Sequence, residues 1–75
     1  METPEVSDIE LGRRYPVLQY FEAKHLPEPL RSVSEKFGSL ARDMATVLPS
    51  GAETAAGLRK LLEAKDCFVR VMLSK

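Results

Sequence analysis

The run from Ala55 to Val71 constrains this chain more than any other stretch. It consists almost entirely of good helix formers, and Leu58, Leu61 and Leu62 return to one side at helical spacing. Phe68, Val69 and Met72 continue the apolar positions, with Ala55 and Ala64 as small gaps. A helix over about 51–73 is therefore expected. Upstream, Leu30, Val33, Phe37, Leu40, Met44 and Val47 advance by alternating steps of three and four. That is a heptad seam, and it predicts a first long helix over about 28–48. Pro27 and Pro29 suit its first turn, where a missing N–H has no intrahelical partner to lose. Glu28 suits the positive end of the helix dipole. Leu48 closes the seam and Pro49 stops it.

Local signals fill in detail. Ser50 and Glu53 have the spacing of a capping box at the start of the second helix. Arg59–Glu63 and Asp66–Arg70 are four-apart pairs, each adding a few tenths of a kcal/mol where exposed. Gly38 costs its helix about 1 kcal/mol relative to alanine. In return it admits another backbone or a ligand, with a tight helix crossing as the ordinary reason.

The N-terminal third reads differently. Met1 to Arg14 is polar and acidic, without a period, and is expected to be a flexible tail. Tyr15-Pro16 forces an extended or turning backbone. Val17 to Phe21 has β-type character, which predicts an extended arm lying across the helices and burying its aromatics. The expected organisation is a tail over 1–16 and a helical-hairpin domain over 17–75. The fold class is all-α: an antiparallel helical hairpin with an N-terminal extended arm, assembled into a compact homo-oligomer. Association is expected because Phe68, Val69, Val71, Met72 and Leu73 reach most of the way round their helix, and two helices cannot enclose them. A chain this small without disulfides or metal usually needs partners. A four-helix bundle or a larger ring would supply them, with ligand sites between subunits.

Composition narrows the functions. Eleven basic and eleven acidic residues cancel, so the chain is not a counter-ion for polymeric nucleic acid or for an acidic membrane. The charge is uneven, however. The first twelve residues carry only acids, whereas the stretch from Arg59 onward is locally basic. Cys67 is the single cysteine, so no intramolecular disulfide forms, and a reducing cytoplasm fits best. No apolar run approaches the ~18–20 residues of a membrane span, and the acidic N-terminus does not read as a signal peptide.

No cluster has metal-ligand spacing, and no glycine loop resembles a phosphate-binding fingerprint. Cys67 reads as a packing residue, because a nucleophile needs a base and His25 is the only histidine. The expectation is a non-enzyme without cofactors. His25 has two readings, a ligand contact or a backbone hydrogen bond near the helix start. Arg70, among Phe68, Val69, Val71 and Met72, needs an anion: Asp66, a carboxylate of a neighbouring subunit, or a phosphate. Tyr20 and Phe21 either cover the helices or stack on bases, where an aromatic contributes about 1–3 kcal/mol per base.

Several strings together resemble a known group. They are His25-Leu26-Pro27, Phe37 with Leu40-Ala41, the Leu48-Pro49 turn, and above all Leu58 to Asp66 followed by Val69-Arg70. They look like small phage-encoded helical-hairpin proteins, similar to the domain shared by anti-CBASS and anti-Thoeris sponges. The resemblance covers about residues 20–73. It implies a protein that binds cyclic oligonucleotide immune signals in the host bacterial cytoplasm and withholds them from their effector without cleaving them. It implies a homo-oligomer, a hexamer being the usual form, with cyclic dinucleotide pockets between subunits and in some members separate cyclic trinucleotide pockets. Carried onto this sequence, Phe21 or Tyr20 matches the stacking aromatic, and Lys36 is the candidate phosphate contact of the first helix. Arg70 matches an arginine of the trinucleotide pocket, and Arg59-Lys60 match a basic pair of unassigned role. His25 lies in a matching string. The sequence departs at Cys67-Phe68, where smaller residues are expected, and this bears on the oligomer seam. The competing expectation is a helical hairpin that docks on a host or phage protein.

Overall fold

The computed structural model describes residues 8–74. They form four helical elements and no strand: α1 (Asp8–Arg14), a 3-10 helix (Pro16–Phe21), α2 (Leu30–Val47) and α3 (Ala52–Leu73). The chain is all-α, and none of these helices is long and apolar enough to cross a membrane.

The N-terminal segment departs from both expectations placed on it. Residues 8–14 of the expected tail are helical, with Arg14 Nη2 bonded to Glu10 Oε2 at 2.9 Å and Leu11 buried. Residues 1–7 lie outside the described part. The expected extended arm is instead the 3-10 helix. Its period lies in the sequence: Tyr15, Leu18 and Phe21 are spaced by three, the repeat of a 3-10 turn, and all three are buried. The chain turns into it through Tyr15 N–H donating to the Leu11 carbonyl at 2.7 Å, and Leu18 N–H to the Tyr15 carbonyl at 3.0 Å.

Helix α2 starts behind Glu28, whose Oε1 accepts from the Ser32 N–H at 3.1 Å and the Ser32 hydroxyl at 2.6 Å. The bond from the Ser32 side chain is the main cause that holds the Glu28 carboxyl below its ordinary pKa; the Ser32 backbone bond and the Arg31 guanidinium act the same way. The face that α2 buries is Ser34, Gly38, Ala41 and Ala45, a stripe of small residues. The larger heptad residues flank it: Phe37 and Met44 are half-buried, while Leu40 and Val47 are exposed. Small side chains let neighbours approach closely. Gly38 shows how closely, because a Cβ there would stand 3.2 Å from the Phe21 carbonyl oxygen. The close approach comes from the backbone of the 3-10 helix.

Helix α3 follows a short connection. The Ser50–Glu53 capping box does not form: Gly51 is the N-cap and no side chain caps it. The Thr54 hydroxyl donates instead to the Pro49 carbonyl at 2.7 Å. Leu58 is the buried residue of α3, and Phe37 of α2 stacks on Phe68 with ring centroids 5.7 Å apart. The core gathers Leu11, Tyr15, Leu18 and Phe21 against Ala41, Ala45 and Leu58. Thus the first third of the chain supplies the bulk of the large core side chains, and the long helices supply mostly the surface they rest on. Two hydroxyls within this interior, of Tyr15 and Ser34, have no hydrogen-bond partner among the described residues.

Candidate functional site

Tyr20 and Phe21 end the 3-10 helix and point to opposite fates. Phe21 is 2 % exposed and belongs to the core, so the expectation that it presents a ring to a ligand is corrected: packing against the small stripe of α2 claims it. Tyr20 is 60 % exposed. Its backbone is nonetheless held, because Lys65 Nζ donates to the Tyr20 carbonyl at 3.0 Å. The same ammonium contacts Asp66 Oδ1 at 3.0 Å, and the Lys65 side chain is only 12 % exposed. Lysine buries its methylene stem along apolar surface and brings only the ammonium to a polar partner. Lys65 follows Leu58 by seven residues and shares its inward stripe, which is why its head reaches the 3-10 helix.

This arrangement replaces the expected intrahelical pairs. Asp66 is engaged by Lys65, and Arg70 Nη2 instead donates to Cys67 Sγ at 3.3 Å. Arg59 and Glu63 form no ion pair. Among the described residues, Arg14, Arg31 and Lys65 have carboxylate partners, whereas Lys36, Arg59, Lys60 and Arg70 have none.

The sequence-nominated cations are spread out. Lys36 is exposed on α2, in a shallow depression with Ser32, Glu35 and Ser39. Arg59, Lys60 and Arg70 are exposed on α3. Arg59 and Arg70 share one face, but eleven residues set them about 16 Å apart along the axis. One phosphate cannot meet both in a single chain. His25 is exposed in the turn before α2, and its side chain makes no hydrogen bond or ion pair among the described residues.

Two features were not nominated from sequence. One is Lys65, whose inward stripe was readable. The other is a groove of about 320 Å³ where α1, the 3-10 helix and α2 meet, lined by Leu11, Leu18, Gln19, Glu22 and the half-buried Arg42. Arg42 lies four residues after Gly38 on the same side of α2, but the groove depends on α1, which the sequence did not announce. A larger and more apolar groove, about 420 Å³, runs between Leu40, Met44 and Leu48 of one helix and Gly57, Leu58 and Leu61 of the other. No group of three His, Cys, Asp or Glu residues gathers to hold a metal among the described residues.

Comparison with protein families, with characterised proteins and with solved structures returns no match for this chain.

Proposed function

We propose that this chain is a phage anti-defence sponge: a non-enzymatic protein that binds cyclic oligonucleotide immune signals in the host bacterial cytoplasm and keeps them from a CBASS effector. The single observation that carries the reading is Tyr20, an open aromatic ring on a backbone fixed by Lys65. With the backbone already fixed, only the rotation of the ring itself is left to be ordered on binding. Among the described residues of a single chain, the cations Lys36, Arg59, Lys60 and Arg70 are exposed and without carboxylate partners, so they are available to phosphates, as His25 is to a base edge. Because Arg59 and Arg70 lie three turns apart, a ligand with two phosphates would be held between subunits rather than within one. The working architecture is an antiparallel helical hairpin in a homo-oligomer, with a hexamer as the expected form.

The competing reading is a protein-interaction module, favoured by the exposed apolar residues Leu40, Val47, Phe68 and Val71. One experiment separates the two. Purified protein is mixed with cyclic di- and trinucleotides and cyclic ADP-ribose isomers, filtered, and heated to release what it holds. Intact cyclic nucleotide in the released fraction supports the sponge, and Tyr20→Ala and Arg70→Ala should each reduce it without loss of helicity. A linear product would mean a nuclease. No release across the panel from folded protein would overturn the reading in favour of the interaction module.

A further inference from the structure

The chain carries a second apolar face that its own core uses only in part: Phe37, Met44 and Leu61 pack against the core along one edge, and the rest is open. On α2 the stripe is Val33, Phe37, Leu40, Met44 and Val47. Leu40 lies two residues beyond the buried Gly38, nearly on the opposite side of the helix. On α3 the stripe is Gly57, Leu61, Ala64, Phe68 and Val71, with the same heptad spacing. No charged residue interrupts either. The Phe37–Phe68 stack joins them into one surface, and the 420 Å³ groove indents it. Val47, Phe68 and Val71 are each more than half exposed, and Leu40 and Leu48 are exposed beside them. These five side chains present on the order of 500 Å², already the size of the largest apolar patch on an ordinary monomer. With the half-buried members the face approaches the ~800 Å² per partner of a standard interface.

Gly57 gives the face a more specific character. A Cβ at Gly57 would meet nothing within 4 Å, so nothing inside the chain requires glycine there. Yet glycine at mid-helix costs about 1 kcal/mol relative to alanine. Lys36 and Asp43 add a second clue: both are exposed at the edge of the α2 stripe and have no ion-pair partner among the described residues.

We propose that a second copy of this chain covers this face about a twofold axis, with α2 antiparallel to α2 and α3 antiparallel to α3. Centring the α2 pair on Leu40 sets Val33 against the partner's Val47 and brings Lys36 to the partner's Asp43. Centring the α3 pair on Ala64 sets Gly57 against the partner's Val71, and Leu61 against the partner's Phe68. The missing side chain at Gly57 then has a function, since it admits a valine. Each contact occurs twice, as an isologous interface requires. The inference rests on the homo-oligomer within the proposed function, but on no nucleotide, so it is tested without one. Lys36 comes to the rim of this interface, where a phosphate held between subunits would reach it only by displacing the partner's Asp43.

The test uses single cysteines in a Cys67→Ser background. Leu40→Cys and Ala64→Cys place a thiol at the axis, and Glu63→Cys places one on the polar side of α3. Mild oxidation should link Leu40→Cys and Ala64→Cys into covalent dimers and leave Glu63→Cys unlinked. In sedimentation, Leu40→Lys should at least halve the mass of the parent assembly, with association weakened about 100-fold or more, since two lysines would meet at the axis. Gly57→Leu should do the same by filling the space for Val71. A ligand-free parent that sediments as a monomer even in concentrated solution would overturn the proposal. So would a Glu63→Cys protein that cross-links as readily as Leu40→Cys, or a folded Leu40→Lys protein that keeps the parent mass.

Discussion

Gly38→Ala puts two opposing effects in one methyl group. Alanine is the better helix former by about 1 kcal/mol, so on α2 alone the substitution stabilises. In the folded chain the new Cβ would stand 3.2 Å from the Phe21 carbonyl oxygen, 3.5 Å from Phe21 Cβ and 3.7 Å from Arg42 Nη2. The first of these decides the outcome, because a backbone carbonyl cannot rotate aside. The 3-10 helix would have to move by a few tenths of an ångström, and it is held on both sides. The Phe21 ring is fixed in the core, and the Tyr20 carbonyl is bonded to Lys65. Overfilling a packed site typically costs 1–3 kcal/mol. The expected net effect is a loss of about 1 kcal/mol, or a midpoint lower by about 4–8 °C for a domain of this size. Thermal unfolding followed by circular dichroism at matched concentration measures it. Gly12→Ala, with nothing within 4 Å of its Cβ, is the control and should raise the midpoint or leave it unchanged. If Gly38→Ala stabilises as much as the control does, the close approach of the 3-10 helix to α2 is wrong.

Three further outcomes are expected. Tyr15→Phe removes a buried hydroxyl that has no partner among the described residues and should raise stability by about 1 kcal/mol in urea unfolding; a clear loss would mean that the hydroxyl is bonded. Phe21→Ala should cost about 3–5 kcal/mol as a core truncation, whereas Tyr20→Ala should stay within about 0.5 kcal/mol; equal losses would refute the opposite placements of the two rings. The lowered pKa of Glu28 means that its contribution to the start of α2 is complete above the usual glutamate range and is lost only as pH falls through the lowered value. Protection of the Ser32 amide against hydrogen exchange should decline over that acidic interval, and a Glu28 NMR titration midpoint at or above the usual value would contradict it.

The two long helices were legible because their heptads and the Pro49 and Gly51 breaks are strong signals. Which side of α2 is buried was not. Two stripes compete there, and pattern reading favours the large one through Leu40 and Met44 over the small one through Gly38 and Ala41. Only the presence of the 3-10 helix, with its bulky Tyr15, Leu18 and Phe21, makes small residues the better inner face. That helix is obscured in the sequence because Val17 to Phe21 looks β-like by composition, and because a period of three repeated over one short segment is a weak signal beside it. Helix α1 is two turns long and offers only Ile9 and Leu11, too few positions to reveal a repeat. Among candidate site residues, the exposure of Arg59 and Lys60 followed from their places on α3. The division between Tyr20 and Phe21 did not, since adjacent aromatics carry equal weight until a partner surface chooses one.

The bond from Lys65 to Tyr20 joins residues forty-five positions apart, and it sets an order of events during synthesis. Leu11, Tyr15, Leu18 and Phe21 leave the ribosome before Leu58 and Lys65, which complete their enclosure, have been made. Until then the N-terminal apolar residues are open to chaperones and proteases. A chain cut short before α3 keeps that signal on display, and α3 is the element that withdraws it.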